Sequence, residues 1–94
     1  MNNSTVLITG ANRGLGLEFV RQYSQLGWSV LACSRDSSNA NELKILQKEF
    51  SSVEILQLDV GNLNEIVSLS NTLKDRSIDI LINNAGIYRS GSLG

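Results

Sequence analysis

Apolar positions along this chain follow two spacings in turn. Short continuous runs occur at Thr5-Val6-Leu7-Ile8-Thr9, Ser29-Val30-Leu31-Ala32-Cys33-Ser34, Val53-Glu54-Ile55-Leu56-Gln57-Leu58 and Ile78-Asp79-Ile80-Leu81-Ile82-Asn83. The first, second and fourth are apolar almost throughout their centres, the pattern of strands covered on both faces. Three stretches between them carry helical spacing. In the first, Leu15, Phe19, Val20, Tyr23 and Leu26 form a stripe, and Gly27 stands where a helix ends in a left-handed residue. In the second, Leu43, Leu46 and Phe50 form the stripe, and Asn39 followed by Glu42 resembles a capping box. In the third, Ile66, Val67 and Leu73 are expected to face the core, with Asn62 and Glu65 again three apart. The resulting order, β-α-β-α-β-α-β, predicts an α/β fold: a parallel sheet with right-handed crossovers and helices on both faces.

Composition narrows the chemistry. Ninety-four residues suit one domain or part of one, and Leu, Ile, Val and Phe make up about a third of them, enough to build a core. There is no His and a single Cys, which removes His-based triads, most metal sites and any internal disulfide. A lone Cys without a secretion signal points to a reducing, cytoplasmic setting. Eight basic and nine acidic residues leave a net charge of −1, so no electrostatic footprint for nucleic acid or an anionic membrane is expected. No apolar run approaches the roughly 20 residues of a membrane-spanning helix. Pro is absent, and residues 88–94 form a polar, glycine-rich tail.

The first strand runs into Thr9-Gly10-Ala11-Asn12-Arg13-Gly14-Leu15-Gly16 and then a helix. Free N–H groups and the helix dipole make such a turn an anion site suited to pyrophosphate; the plainer reading is that the glycines only make a turn and pack helix on strand. The spacing is G-x-x-x-G-x-G and departs from the general dinucleotide fingerprint G-x-G-x-x-G. It resembles the short-chain dehydrogenase/reductase family. Asp59-Val60 after the third strand, Asn83-Asn84-Ala85-Gly86 after the fourth and Arg35 after the second agree with that family in order and spacing. The resemblance spans Thr5 to Ile87, and the glycine-loop run is especially similar to C-factor and sniffer-type carbonyl reductases. It implies a Rossmann-like doubly wound sheet, a dinucleotide at Gly10, Asn12, Arg13, Gly14, Leu15 and Gly16, the adenine against Asp59 and Val60, and a mixed structural and ribose role for Asn83, Ala85 and Gly86. Asp59 as a turn or helix cap, and the asparagines as partners of sheet-end backbone groups, are the plainer alternatives.

Sites of this kind that select NAD place an acid about 20 residues after the glycine loop, against the ribose 2′-OH. Here that position is Ser34, whose hydroxyl can donate to a 2′-phosphate that a carboxylate would repel, followed by Arg35, whose guanidinium suits the same phosphate. Arg13 matches the second basic site of the family's NADP-binding members. The pair points to NADP, with NADPH preferred over NADH, against the alternative that both arginines are solvated surface charges. Asp36 is expected to face solvent or cap a turn. Cys33, Trp28 and Tyr23 read as packing residues; nothing beside Cys33 in sequence would activate a thiol.

The resemblance further implies hydride transfer between nicotinamide C4 and a carbonyl or alcohol carbon, using a Tyr-x-x-x-Lys pair and a Ser. Tyr23 is followed four residues on by Gly27 and Tyr88 by Ser92, so neither supplies the pair. The expectation is a truncated NAD(P)-binding domain over residues 1–94, a cofactor half-site without catalytic residues, whose carbonyl substrate would be met only in a longer parent. Ile78, Ile80, Leu81 and Ile82 would then form an open edge inviting a second copy. A nucleotide-binding signalling protein resembling C-factor, or an inactive folded fragment, are the other readings.

Overall fold

The computed structural model describes residues 4–84. Four strands, β1 (Thr5–Thr9), β2 (Ser29–Ser34), β3 (Val53–Gln57) and β4 (Ile80–Asn83), alternate with helices α1 (Gly14–Gln25), α2 (Asn41–Glu49) and α3 (Leu63–Leu73). A short 3₁₀ turn over Ser37–Asn39 precedes α2. The expected order of elements holds, with β3 and β4 starting or stopping a residue or two inside their apolar runs.

All strand pairs are parallel and the sheet order is β3-β2-β1-β4. β1 lies inside, matched Leu7 to Leu31 on one side and Leu7 to Leu81 on the other. The alternation of side chains along each strand divides the core. Val6, Ile8, Val30, Ala32 and Val53 pack with Val20 of α1 and with Leu43 and Leu46 of α2. Leu7, Leu31 and Cys33 face the other way, against Leu73 of α3 with Leu69 half-buried beside them. The sheet is therefore doubly wound, and α3 carries the chain from one edge to the other across the second face. Val6, Ile8, Leu31 and Leu43 are fully buried, and each such side chain contributes roughly 1.5–3 kcal/mol by leaving water.

The helix stripes differ in part from the periodicity. In α1 the buried residues are Gly16, Val20 and Ser24, while Leu15 and Leu26 are 62% and 66% exposed. Phe19, Val20 and Tyr23 of the expected stripe do pack on the core, Phe19 and Tyr23 half-buried, and the small residues Gly16 and Ser24 join them by close approach. Ser24 is tolerated there because its hydroxyl donates to Val20 O four residues back. The end of α1 follows expectation: Gly27 N–H donates to Ser24 O and Trp28 N–H to Tyr23 O, a Schellman closure with Gly27 at φ +88°. The Trp28 and Tyr23 rings meet edge-on across it at 5.0 Å between centroids, the apolar contact that accompanies such caps.

The capping box expected at Asn39 does not form. The cap residue of α2 is Ala40, without a side-chain bond, because Asn39 is drawn into the preceding turn where its Nδ2 donates to Asp36. In α3, Ile66 and Val67 are 40% and 50% exposed, so only Leu73 of the predicted stripe is buried. Asn62 does cap α3, its Oδ1 accepting from Glu65 N–H at 3.2 Å, but the Glu65 carboxylate turns to Asp59 N–H at 2.7 Å.

Candidate dinucleotide site

Parallel strands place their carboxyl ends along one rim, and here that rim gathers the residues singled out from sequence. Gly10 follows β1, Ser34 ends β2 and Arg35 follows it, Asp59 and Val60 come after β3, and Asn83 ends β4. From β1 the chain goes to β2 on one side, while β4 lies on the other; a crevice at such a switch point is where open α/β sheets take ligands. Ala85 and Gly86 lie outside the described residues.

The glycine loop is built by backbone requirement. Gly14 has φ +58°, and a Cβ there would meet nothing within 4 Å, so the loop leaves open room above it. Gly16 answers a different need. A Cβ on it would overlap Gly10 O and stand 2.8 Å from Asn84 Nδ2, so only glycine lets α1 start against β1. Asn84 closes this corner from β4: its Nδ2 donates to Gly10 O at 3.1 Å, and its N–H donates to Thr9 Oγ1 at 2.9 Å. Thr9 Oγ1 in turn donates to Asn83 Oδ1 at 3.0 Å. Both asparagines thus tie the β4 end to the loop, the structural half of the role expected for them. On the opposite side Ala11 N–H donates to Cys33 O at 2.9 Å and fastens the loop to β2.

Electrostatically the mouth of α1 is uncompensated. Its cap residue, Arg13, makes no side-chain cap bond and no acid stands in the first turn; α3, by contrast, has both the Asn62 cap and Glu65. Leu15, expected in the core, is instead exposed beside this mouth, and Asn12 is half-buried in the loop. Arg13 and Arg35 are exposed. The ion pairs among the described residues use other arginines, Arg21 with Glu18 and Arg76 with Glu54.

Ser34 is fully buried, and its hydroxyl accepts from Asp36 N–H at 3.2 Å. A hydroxyl so enclosed does not reach a 2′-phosphate as expected from sequence; it shapes the turn, and Arg35 is the group presented to solvent there. Asp36 accepts from Asn39 Nδ2 and Ser38 Oγ, bonds that hold its carboxyl below the ordinary carboxylate range; it is exposed, as expected, and gathers side chains of the turn without a side-chain cap bond to the backbone. Asp59 is half-buried with Oδ1 accepting from Gly61 N–H at 2.9 Å, and its carbonyl accepts from Asn62 N–H. It fixes the turn into α3 on the rim. Cys33 is fully buried, and burial pushes its thiol up to about 12, which leaves a core residue and no nucleophile. Gln57 carries no motif signal, yet its amide bonds to the turn after β2 and to Glu65; what brings it there is its register opposite Ser34, which the sequence does not state.

Among the described residues no helix is long and apolar enough to cross a membrane. Residues 4–93 match the model of the short chain dehydrogenase family. The chain is 41% identical over 88 residues to a (+)-neomenthol dehydrogenase of Arabidopsis thaliana, covering 86% of this chain and 30% of that protein. A carbonyl reductase of Pseudomonas aeruginosa PAO1, solved in complex with NADP, superposes with a TM-score of 0.85 at 32% identity, over 93% of this chain and 38% of that one. A short-chain dehydrogenase/reductase of Burkholderia multivorans with bound NADP gives 0.84 at 31% identity, over 90% and 37%. The chain thus spans about a third of the length of these relatives, and they do not single out the C-factor or sniffer-type subgroup. A match running over nearly every residue, on a sheet with the strand order and glycine corner described above, leaves one conclusion: this chain belongs to the short-chain dehydrogenase/reductase family.

Proposed function

We propose that this chain is the NADP(H)-binding part of a short-chain reductase acting on a carbonyl compound, with NADPH preferred over NADH. The observation that carries this reading is a pair of exposed arginines outside the ion pairs of the described residues, Arg13 at a helix mouth with neither cap nor acid and Arg35 just after β2 on the same rim of the sheet. An uncapped N-terminus favours phosphate oxygens, and a guanidinium binds a 2′-phosphate in a fork geometry that a hydroxyl gives no reason for.

The residues present fit such a ligand. The N–H groups opening α1 at Gly14, Leu15 and Gly16 would hold the pyrophosphate, with Gly10 and Asn12 shaping the loop beneath it. Asp59 and Val60 would border the adenine, Arg13 and Arg35 the 2′-phosphate, and Asn83, with Ala85 and Gly86, the ribose nearer the nicotinamide. A bound nicotinamide supplies the hydride. The Tyr, Lys and Ser that the family uses to move the proton and polarise the carbonyl belong, on this reading, to chain beyond residue 94, as does the substrate pocket. A cytoplasmic setting is part of this proposal.

The test is a titration of the protein with NADPH and with NADH, followed by thermal shift and calorimetry, with Arg35→Ala alongside. Tighter binding of NADPH is expected. Arg35→Ala should weaken NADPH about ten- to a hundredfold, the value of one charge-assisted bond, and leave NADH nearly unchanged. Equal weakening of the two, or an intrinsic preference for NADH, overturns the assignment.

A further inference from the structure

The turn that presents Arg35 is held from a neighbouring strand. Gln57 ends β3 directly opposite Ser34 in the parallel pair, on the exposed rim where a glutamine ordinarily faces water. Here all of its hydrogen-bonding capacity is used. Oε1 accepts from Ser37 N–H at 3.0 Å and from Ser37 Oγ at 2.9 Å. Nε2 donates to Arg35 O at 2.6 Å and to Glu65 Oε1 at 3.3 Å. A carboxamide offers two donors and two lone pairs, so these four bonds saturate it and fix its orientation, oxygen toward Ser37 and nitrogen toward Arg35 and Glu65.

The bonds within the turn are local: Asp36 N–H to Ser34 Oγ, and Ser38 Oγ and Asn39 Nδ2 to Asp36. They shape residues 34–39, and Leu58 N–H, donating to Ser34 O at 2.9 Å, ties the peptide ahead of Arg35 to the neighbouring strand. The Gln57 amide fastens the chain beyond it, gripping Arg35 O and Ser37 N–H on both sides of Asp36. The same Glu65 oxygen that receives Gln57 Nε2 also accepts from Asp59 N–H. One network therefore joins the turn carrying Arg35 to the turn carrying Asp59.

We propose that Gln57 is a positioning residue for selection of the 2′-phosphorylated dinucleotide: its amide clamps the Arg35–Ser37 backbone and so fixes where the Arg35 guanidinium is presented. The inference rests on the NADP(H) reading above. Arg35 has an exposed side chain, and the position of its Cα decides how much of its reach is lost to searching. Releasing the clamp loosens the chain just after that Cα while leaving the glycine loop, the mouth of α1 and the Asp59 N–H bond to Glu65 in place, so the loss falls on the ligand with a 2′-phosphate.

The experiment is a double-mutant cycle on the intact protein, reading dissociation constants for NADPH and NADH in the parent, Gln57→Met, Arg35→Ala and the double variant. Methionine keeps the length of Gln57 and removes its hydrogen bonds. Gln57→Met should weaken NADPH about three- to tenfold, as expected for one or two modest hydrogen bonds, with NADH changed by less than about twofold. In the Arg35→Ala background it should add no further selective loss, since the two residues act as one unit. Ser37→Ala, which removes one of the four bonds without altering β3, should give a smaller loss of the same selectivity and serves if Gln57→Met does not fold. Equal weakening of both cofactors by Gln57→Met, or a loss that persists in full without Arg35, overturns the proposal. If Arg35→Ala itself treats the two cofactors alike, the NADP(H) reading falls and this inference with it. If Arg35→Ala is selective and Gln57→Met is not, this inference alone falls.

Discussion

Gly16 shows how one residue type can carry two arguments. In sequence it is the third glycine of the loop, and the reading that glycines there only pack helix on strand stands beside the phosphate reading. The structure gives the packing its atoms: Gly10 O and Asn84 Nδ2 occupy the space a Cβ would need. Since Asn84 comes from β4, the same contact that seats α1 also ties the far end of the described chain to the loop. Gly16→Ala should therefore push α1 away from β1, at about 1–3 kcal/mol for overpacking, and weaken NADPH and NADH alike by tilting the helix mouth. Chemical denaturation and a cofactor titration check the two halves; unchanged stability would show that the corner yields freely. At this scale the positions of Arg13, Arg35, Asp59 and Asn83 along one rim were legible because motif spacing and element order survive without coordinates, while their roles toward a ligand belong to the proposal above. Ser34 was legible in place but not in direction, since burial of its hydroxyl depends on the Asp36 turn folding back over it.

At the scale of elements, the strands followed from apolar continuity because sheets covered on both faces leave little choice of side-chain direction. The helices followed less closely. Periodicity counts large apolar residues, so it placed Phe19, Val20 and Tyr23 correctly against the core but also turned Leu15 and the cap residue Leu26 inward, and it passed over Gly16 and Ser24, which the sheet buries. Cap signals behaved in the same way: Asn39 and Asn62 both precede a glutamate at the right spacing, and only Asn62 caps, because Asp36 claims Asn39. This difference is measurable. Asn62→Ala should cost typically ~1 kcal/mol by leaving an N–H at the start of α3 without its partner. Asn39→Ala should leave the start of α2 unaffected. Urea unfolding with an unchanged m-value would report the first as a pure stability loss; equal losses at the two positions would mean that the caps are not distinguished as described.

On the scale of the whole molecule, the two faces of the sheet are unequally covered. The α1–α2 face buries Val20, Leu43 and Leu46, while the α3 face buries Leu73 alone among helix residues. Ile66 and Val67 of α3 remain exposed, as do Ile78, Ile80 and Leu81 at the β4 edge, Leu81 at 64%. Among the described residues β4 pairs only with β1, so its other side presents unpaired backbone groups next to apolar side chains, the combination that recruits another strand. The sequence already pointed to this edge through the apolar run from Ile78; the exposure of α3 was hidden, because a stripe gives no information about whether anything lies opposite it. The 94-residue chain on its own should therefore self-associate. Sedimentation should show mass rising with concentration, and Leu81→Lys, which places a charge on the strand without touching the glycine corner, should shift the distribution toward monomer. Lysine is effective there because desolvating its ammonium against a second apolar edge costs more than the strand pairing returns. A monomer at all concentrations before the substitution would mean that the edge is closed by other means, and the unequal covering of the sheet would then have no consequence for assembly.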